Sequence, residues 1–186
     1  MSAKAVKKTI AFLVVLCLWL TLASCKPAQP EETLEGEAEM VIQVTSTAFT
    51  DGSNIPSKHT CDGKDVSPEL AWSGVPQGAK SLAIIMDDPD APGRVFVHWV
   101  LFNIPASIEE LPEGVSGIGL PGTNNFRKMG YNGPCPPSGS AHRYFFKLYA
   151  LDQELKLSSG TSKADLENAM KDHILATGQL TGKYGR

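Results

Sequence analysis

The chain has no excess of positive charge: 17 Lys and Arg stand against 20 Asp and Glu, a net of −3 over 186 residues. Without basic stripes it is a poor candidate for nucleic-acid binding. It also lacks an apolar run long enough to span a bilayer comfortably. The longest, Ile10 to Leu22, is interrupted only by Thr21 and falls short of the ~20 residues a spanning helix needs. No internal repeat is visible. There is no strand–helix–strand alternation of the kind that builds parallel sheets. Cysteine is scarce, with Cys17, Cys25, Cys61 and Cys135 making up the whole set.

What is present at the amino terminus is an address. Lys4, Lys7 and Lys8 precede the apolar run, which ends in Leu22-Ala23-Ser24-Cys25. The pattern is that of a signal peptide over 1–24. Small residues before a cysteine resemble a bacterial lipobox, which implies cleavage before Cys25 and lipidation of that residue. An ordinary secretory signal with a chance cysteine is the alternative. Several acyl chains hold a protein on a membrane, whereas a simply cleaved signal releases it. The expected location is extracytoplasmic, as a membrane-anchored bacterial lipoprotein. Residues 25–39 then form the lipidated end and a tether. Pro27 and Pro30 stiffen it, and Glu31, Glu32, Glu35, Glu37 and Glu39 make it acidic and solvated. Fully stretched, such a tether reaches up to ~50 Å.

Residues 40–186 are enough for one core and too few for two domains. Loss of the three signal lysines leaves 14 cations against 20 acids, a net of −6. Cys61 and Cys135 remain in the domain. An even pair in an exported protein suits a disulfide, and two buried thiols are the alternative, since sequence separation does not fix distance.

Residues 41–45, 81–86, 96–104 and 143–151 are rich in β-branched, aliphatic and aromatic residues between Pro, Gly and Asp turns. They read as strands of an antiparallel or Greek-key β-sandwich. One helix is expected near the carboxyl terminus. Thr161 or Ser162 caps it, Asp165 lies in its first turn, and Leu166, Met170, Ile174 and Leu175 recur at helical spacing. Gly178 is its expected stop, and His173 lies within it as a structural or surface residue. Leu111 to Asn125 shows no secondary-structure pattern and reads as a surface for a partner.

Two clusters carry chemistry. Asp88-Pro89-Asp90-Ala91-Pro92 follows an apolar strand. Its prolines fix φ and push the preceding residues to extended geometry, so both carboxylates are held in set directions. His98 lies in an aromatic strand beside Trp99, where an imidazole needs partners for both nitrogens, and a carboxylate of the preceding loop is the nearest candidate. The second cluster runs from Tyr131 to Tyr144. Pro134, Pro136 and Pro137 stiffen it, while Gly133 and Gly139 admit close approach of a ligand. His142 and Tyr144 share one strand face; Arg143 points to the other and reads as an ion-pair residue.

These motifs resemble the phosphatidylethanolamine-binding protein (PEBP) family, and within it the bacterial Raf-kinase-inhibitor-like (YbhB/YbcL-type) branch. The resemblance rests on Asp88-Pro-Asp-x-Pro92, His98-Trp99, the Tyr131 to Tyr144 segment, His59-Thr60-Cys61-Asp62-Gly63, Ser67-Pro68-Glu69-Leu70-x-Trp72, and two stretches near the end, His173 to Ala176 and Gly182 to Arg186. It departs at His59, where the family more often has an aromatic, and at Arg127, where glycine is commoner. The resemblance implies a mainly β, Greek-key β-sandwich of the PEBP type with a small anion pocket and a carboxyl-terminal helix. It implies ligand-binding residues Asp88, Asp90, His98, Tyr131, Cys135, Pro137, His142 and Tyr144, with Tyr184 near the rim. It implies a phosphate-like molecule or phospholipid headgroup as ligand, a partner kinase or protease that the protein inhibits, and no cofactor, required metal or settled catalytic activity. Protons on His98 or His142 would offset the charge of an anion beside Asp88, so binding should tighten as pH falls. Two other readings of the same residues are a thiol hydrolase, with Cys135 as nucleophile beside a histidine and Asp88, and a metal site from His98, His142 and Asp88.

Overall fold

Apolar residues that alternate along a strand bury one face, and those that run without a break bury both. The computed structural model describes residues 41–186; the expected signal peptide, Cys25, the tether and Met40 lie outside the described residues. In chain order the strands are β1 (Gln43–Thr45), β2 (Leu70–Ser73), β3 (Ser81–Asp88), β4 (Phe96–Pro105), β5 (Glu110–Leu111), β6 (Leu120–Pro121), β7 (His142–Leu151) and β8 (Ile174–Tyr184). Among the described residues one α-helix, α1 (Lys163–Met170), lies between the last two, and a short 3-10 helix spans Ser57–His59. One sheet has the order β1-β2-β5 and the other β6-β4-β3-β7-β8, with antiparallel pairing throughout. The fold is therefore mainly β, with two packed sheets and one helix near the carboxyl terminus.

The strand patterns follow from what covers each face. Every residue of β3 is buried. Leu82, Ile84 and Met86 join Val44, Leu70, Trp72 and Leu111 in the core between the sheets. Ala83 and Ile85 face the other way, against Leu155 and the α1 residues Leu166 and Met170. That two-sided burial is why β3 reads as an unbroken apolar run. On its outer side Asp87 is paired with Lys147 at 3.1 Å and Lys163 at 2.8 Å.

The helix begins where its cap predicts and ends earlier than its apolar spacing predicts. Ser162 Oγ accepts from the Asp165 amide at 3.2 Å and donates to the Asp165 carboxylate at 2.7 Å. After Met170, Lys171 is extended and Asp172 takes a left-handed φ of 66°. Ile174, Leu175 and Gly178 belong to β8, not to the helix, and Ile174 is exposed. His173 lies past the helix and bonds Asp152 at 2.9 Å. Pairing of β8 along the full length of β7 overrides a weak local helical pattern. The inward row of β8 is Ala176, Gly178, Leu180 and Gly182. A side chain at Gly178 would meet the Ile42 carbonyl, and one at Gly182 would meet Ile55.

The segment from Leu111 to Asn125, expected to lack structure, contributes Leu111 to the core, pairs β6 with β4 and buries Asn124. Only its stretch 112–117 is largely exposed.

Gly178→Val should lower the unfolding free energy by roughly 3 kcal/mol through overpacking against backbone, and Ser162→Ala by about 1 kcal/mol through loss of the cap. Urea unfolding measures both; a Gly178→Val cost no larger than that of Ser162→Ala would contradict the close approach of β8 to residue 42.

Candidate functional site

Three neighbouring strands end their inward rows in polar residues at one end of the larger sheet. On β3 the row Leu82, Ile84, Met86 terminates in Asp88. On β7 the row Ala150, Leu148, Phe146 continues to Tyr144 and His142. β4 contributes His98 through a bulge, since Met86 pairs with Trp99 while Asp87 pairs with Val97, leaving His98 as the extra residue. Bulges re-aim side chains. Here the bulge turns both His98 and Trp99 toward the inter-sheet side, while Val97 and Val100 face the helix side. Asp88 and His98 are each 3% exposed and Tyr144 is 0% exposed.

The buried carboxylate finds its partner across the sheet. His142 Nδ1 lies 2.7 Å from Asp88 Oδ2, and Asp88 Oδ1 accepts the Asp90 amide at 2.8 Å. Asp88 thus pairs with His142 rather than with His98, the histidine expected to take a carboxylate of this loop. His98 Nδ1 instead lies 2.9 Å from the Asn132 carbonyl and 3.0 Å from that of Gly133. Both partners only accept, so Nδ1 carries the proton, and a neutral ring leaves Nε2 as an open acceptor. Burial holds the His98 pKa below its ordinary value, against the opposing pull of the Asn132 carbonyl and the Asp88 charge. The Tyr144 ring meets His98 edge-on at 5.2 Å. Its buried hydroxyl has no hydrogen-bond partner among the described residues. Burial, then the adjacent Asp88 charge, raises its pKa far above that of a free phenol.

A polar scaffold that sequence reasoning missed sets the His98 tautomer. Asp65 accepts from the Gly133 amide at 2.6 Å and from Asn132 Nδ2 at 3.2 Å. Buried Asn124 donates to Asn132 Oδ1 at 2.9 Å and to the Gly130 carbonyl at 3.0 Å. These bonds fix the two carbonyls that face His98. Asp65 and Asn124 look in the sequence like ordinary turn residues; the one local hint is a glycine two residues before each, where Asx turns form. A disulfide joins Cys61 to Cys135, with Cα atoms 5.4 Å apart, and the Cys61 amide donates to the Pro134 carbonyl at 3.1 Å.

Several expected ligand residues make bonds within the protein. Both Asp90 oxygens are taken by Arg143, at 2.8 Å from Nε and 2.7 Å from Nη2, and the Arg143 guanidinium lowers the Asp90 pKa to about 2. Tyr131 donates its hydroxyl to the His59 carbonyl at 2.6 Å and packs edge-on against Trp99. Pro137 is exposed, two residues past the disulfide. Tyr184 stands opposite His142 in register and donates to Asp62 at 2.7 Å. The sulfur of Cys135, being bonded to Cys61, is not a free nucleophile, which removes the basis of the thiol hydrolase reading. Among the described residues no group of three His, Cys, Asp or Glu side chains is placed to hold a metal ion, so the metal reading is not carried further.

Comparison with known proteins agrees over almost the whole described chain. The family described as phosphatidylethanolamine-binding protein matches residues 45–185. A UPF0098 protein of Methanothermobacter thermautotrophicus is 54% identical over 145 residues, covering 75% of this chain and 95% of its own. The crystal structure of a phosphatidylethanolamine-binding protein homologue from Chlamydia trachomatis superposes with a TM-score of 0.76 at 40% identity, covering 79% of this chain and 99% of that one. Escherichia coli YbcL, described as a member of the mammalian PEBP family, gives 0.73 at 35% identity, covering 78% and 98%.

The lowered His98 pKa has a sign in stability. In the unfolded chain His98 titrates near ~6.5. Below that pH the unfolded state takes a proton that the folded state refuses, so stability declines until the lower folded pKa is passed and then levels off. His98→Asn keeps a donor for the two carbonyls and cannot titrate. Wild-type stability should therefore fall more steeply than that of the variant between about pH 6.5 and 5. Parallel curves in urea unfolding across that range would refute the neutral assignment.

Proposed function

The chain belongs to the phosphatidylethanolamine-binding protein family, and from that premise we propose that it binds a phosphate-type anion, a free phosphate ester or a phospholipid headgroup, at Asp88, His98, His142 and Tyr144. The observation that carries this reading is the buried Tyr144 hydroxyl, which lies beside the Asp88 carboxylate but makes no hydrogen bond of ordinary geometry. A buried donor left unpaired is costly, and a ligand oxygen would satisfy it. Beside it lie Nε2 of His98 and Nε2 of His142, neither of which makes a hydrogen bond among the described residues. His142 keeps its Nδ1 on Asp88, which leaves its Nε2 for the ligand. Neutral His98 supplies one acceptor.

A singly protonated phosphate monoester fits such a set, since it offers acceptor oxygens to the Tyr144 hydroxyl and one hydroxyl to His98 Nε2. It also carries less charge toward Asp88 than the dianion does. The second pKa of phosphate monoesters is ~6, so affinity should rise as pH falls from about 7.5 to 6. The reading assigns no catalytic residue.

The setting belongs to the same proposal. Cys25 carries lipid, the acidic tether holds the domain outside the cytoplasm of a bacterium, and a partner kinase or protease meets the exposed stretch 112–117. The Lys4–Cys25 pattern supports the anchor, and the disulfide suits an oxidising compartment.

Calorimetric titration with phosphoethanolamine should show binding that tightens toward pH 6. Tyr144→Phe should weaken it roughly tenfold, the worth of one buried hydrogen bond. Absence of any heat, or affinity unchanged in the variant, would remove the pocket as a phosphate site. For the anchor, cells fed labelled palmitate should label the wild-type chain and not Cys25→Ala; equal labelling or none would discard the lipoprotein assignment.

A further inference from the structure

We propose that the hairpin tip Asn125–Met129, together with Arg94 and Val95, docks on an anionic lipid surface and brings the candidate pocket against the headgroups. Among the described residues the large exposed hydrophobics are Val41, Val95, Phe126, Met129 and Ile174. Three of the five, at 44%, 38% and 61% exposure, belong to this face. The two segments that carry them are joined. The Asn125 amide donates to the Val97 carbonyl at 2.9 Å, the Val97 amide donates to Asn125 Oδ1 at 2.8 Å, and the Phe96 and Phe126 rings lie 4.9 Å apart.

The same segments hold Arg94, Arg127 and Lys128, all exposed and without an ion-pair partner among the described residues. Lys64, Lys80, Lys156, Lys171 and Lys183 are also exposed and unpaired among the described residues, so what sets this face apart is the clustering of its three cations with projecting apolar side chains. No Asp or Glu occurs from Ala91 to Ile108 or from Gly114 to Leu151, although the chain is net negative. Glu167, which shares a groove with Arg94, is engaged by Lys163 at 3.5 Å. Unpaired cations interleaved with projecting apolar side chains complement an anionic bilayer. The cations meet phosphate groups, and the apolar tips enter the boundary with the acyl chains. Three cations against a net negative chain make the attraction local, so the domain has one orientation on the surface.

The tip is also rigid. Asn124 Oδ1 accepts from the Phe126 amide at 2.9 Å and the Lys128 amide at 3.2 Å, and residues 123 and 129 pair as a short antiparallel bridge. Arg127 sits at a φ of 62°, a conformation that disfavours a side chain, yet it presents a cation there. Docking therefore has little loop ordering to offset. Phe126 meets His98 edge-on at 5.4 Å, so the face adjoins the pocket.

The test is hydrogen exchange of the full chain on vesicles of phosphatidylcholine and of an equal mixture of phosphatidylcholine and phosphatidylglycerol. The apolar amino-terminal run or its lipid holds the chain on either vesicle, so the readout is local protection, not attachment. Exchange over residues 94–97 and 123–130 should slow by at least about threefold on the anionic vesicles only, and the effect should fade at high salt. The triple variant R94E/R127E/K128E, with unchanged unfolding midpoint, should lose it, and Phe126→Ser with Met129→Ser should reduce it. Equal exchange on both vesicles overturns the proposal, as does protection confined to another face. Protection that rises with protein concentration in the absence of lipid marks a contact between copies and also overturns it. Phosphoethanolamine titration is separate: its failure leaves lipid docking standing, and failure of docking leaves the pocket reading untouched.

Discussion

A carboxylate at the end of a buried strand must be paired, and the contact between Asp88 and His142 meets that requirement. Asp88 closes the inward row of β3, a strand covered on both faces. An isolated charge there would cost several kcal/mol. His142 stands 54 residues away in sequence but next door in the sheet, because β3 and β7 pair directly. Once His142 is committed through Nδ1, its other nitrogen is free to face a guest. The arrangement therefore couples the stability of the sheet end to the chemistry of the candidate site.

The second histidine is held by different means. Among the described residues no charged group hydrogen-bonds His98; two carbonyls of the 132–133 turn do. Those carbonyls are in turn aimed by Asp65 and Asn124, while the disulfide and the Tyr131 bond to the His59 carbonyl fasten the same turn to residues 59–61. One histidine is thus tied to a carboxylate and the other to carbonyls, and each keeps its Nε2 out of those bonds. Division of labour between Asp88 and Asp90 follows the same logic. Asp88 points inward and stays dry, while Asp90 meets Arg143 at the surface and ties the β3 loop to β7.

The legible parts of the fold were the strands with strong patterns. The runs at 81–86, 96–104 and 143–151 carry dense aliphatic and aromatic residues, and each is a strand in the structure. The last strand was hidden because its inward row is Ala-Gly-Leu-Gly, too small to signal burial. Its neighbours Ile174 and Leu175 happen to extend the spacing of α1. Small residues were required because β8 approaches residues 42 and 55 too closely for side chains, a constraint that exists only once those segments meet. The parity of His142 and Tyr144 was readable, since alternation is local. The bulge at His98 was not, because it depends on register against β3.

The sequence by itself determined which residue types were available: two histidines, a pair of acids on a proline-stiffened turn, a tyrosine of matching parity, and a glycine- and proline-rich loop. Periodicity and turn chemistry are properties of a few adjacent residues, so they survive in a one-dimensional reading. The tertiary structure alone decided that Asp88 takes His142, that Asp90 takes Arg143, that Tyr131 braces the loop, and that Tyr144 keeps an unsatisfied hydroxyl. Each of those choices depends on distances between residues 53 or more apart in the chain, or on burial that no single segment can create.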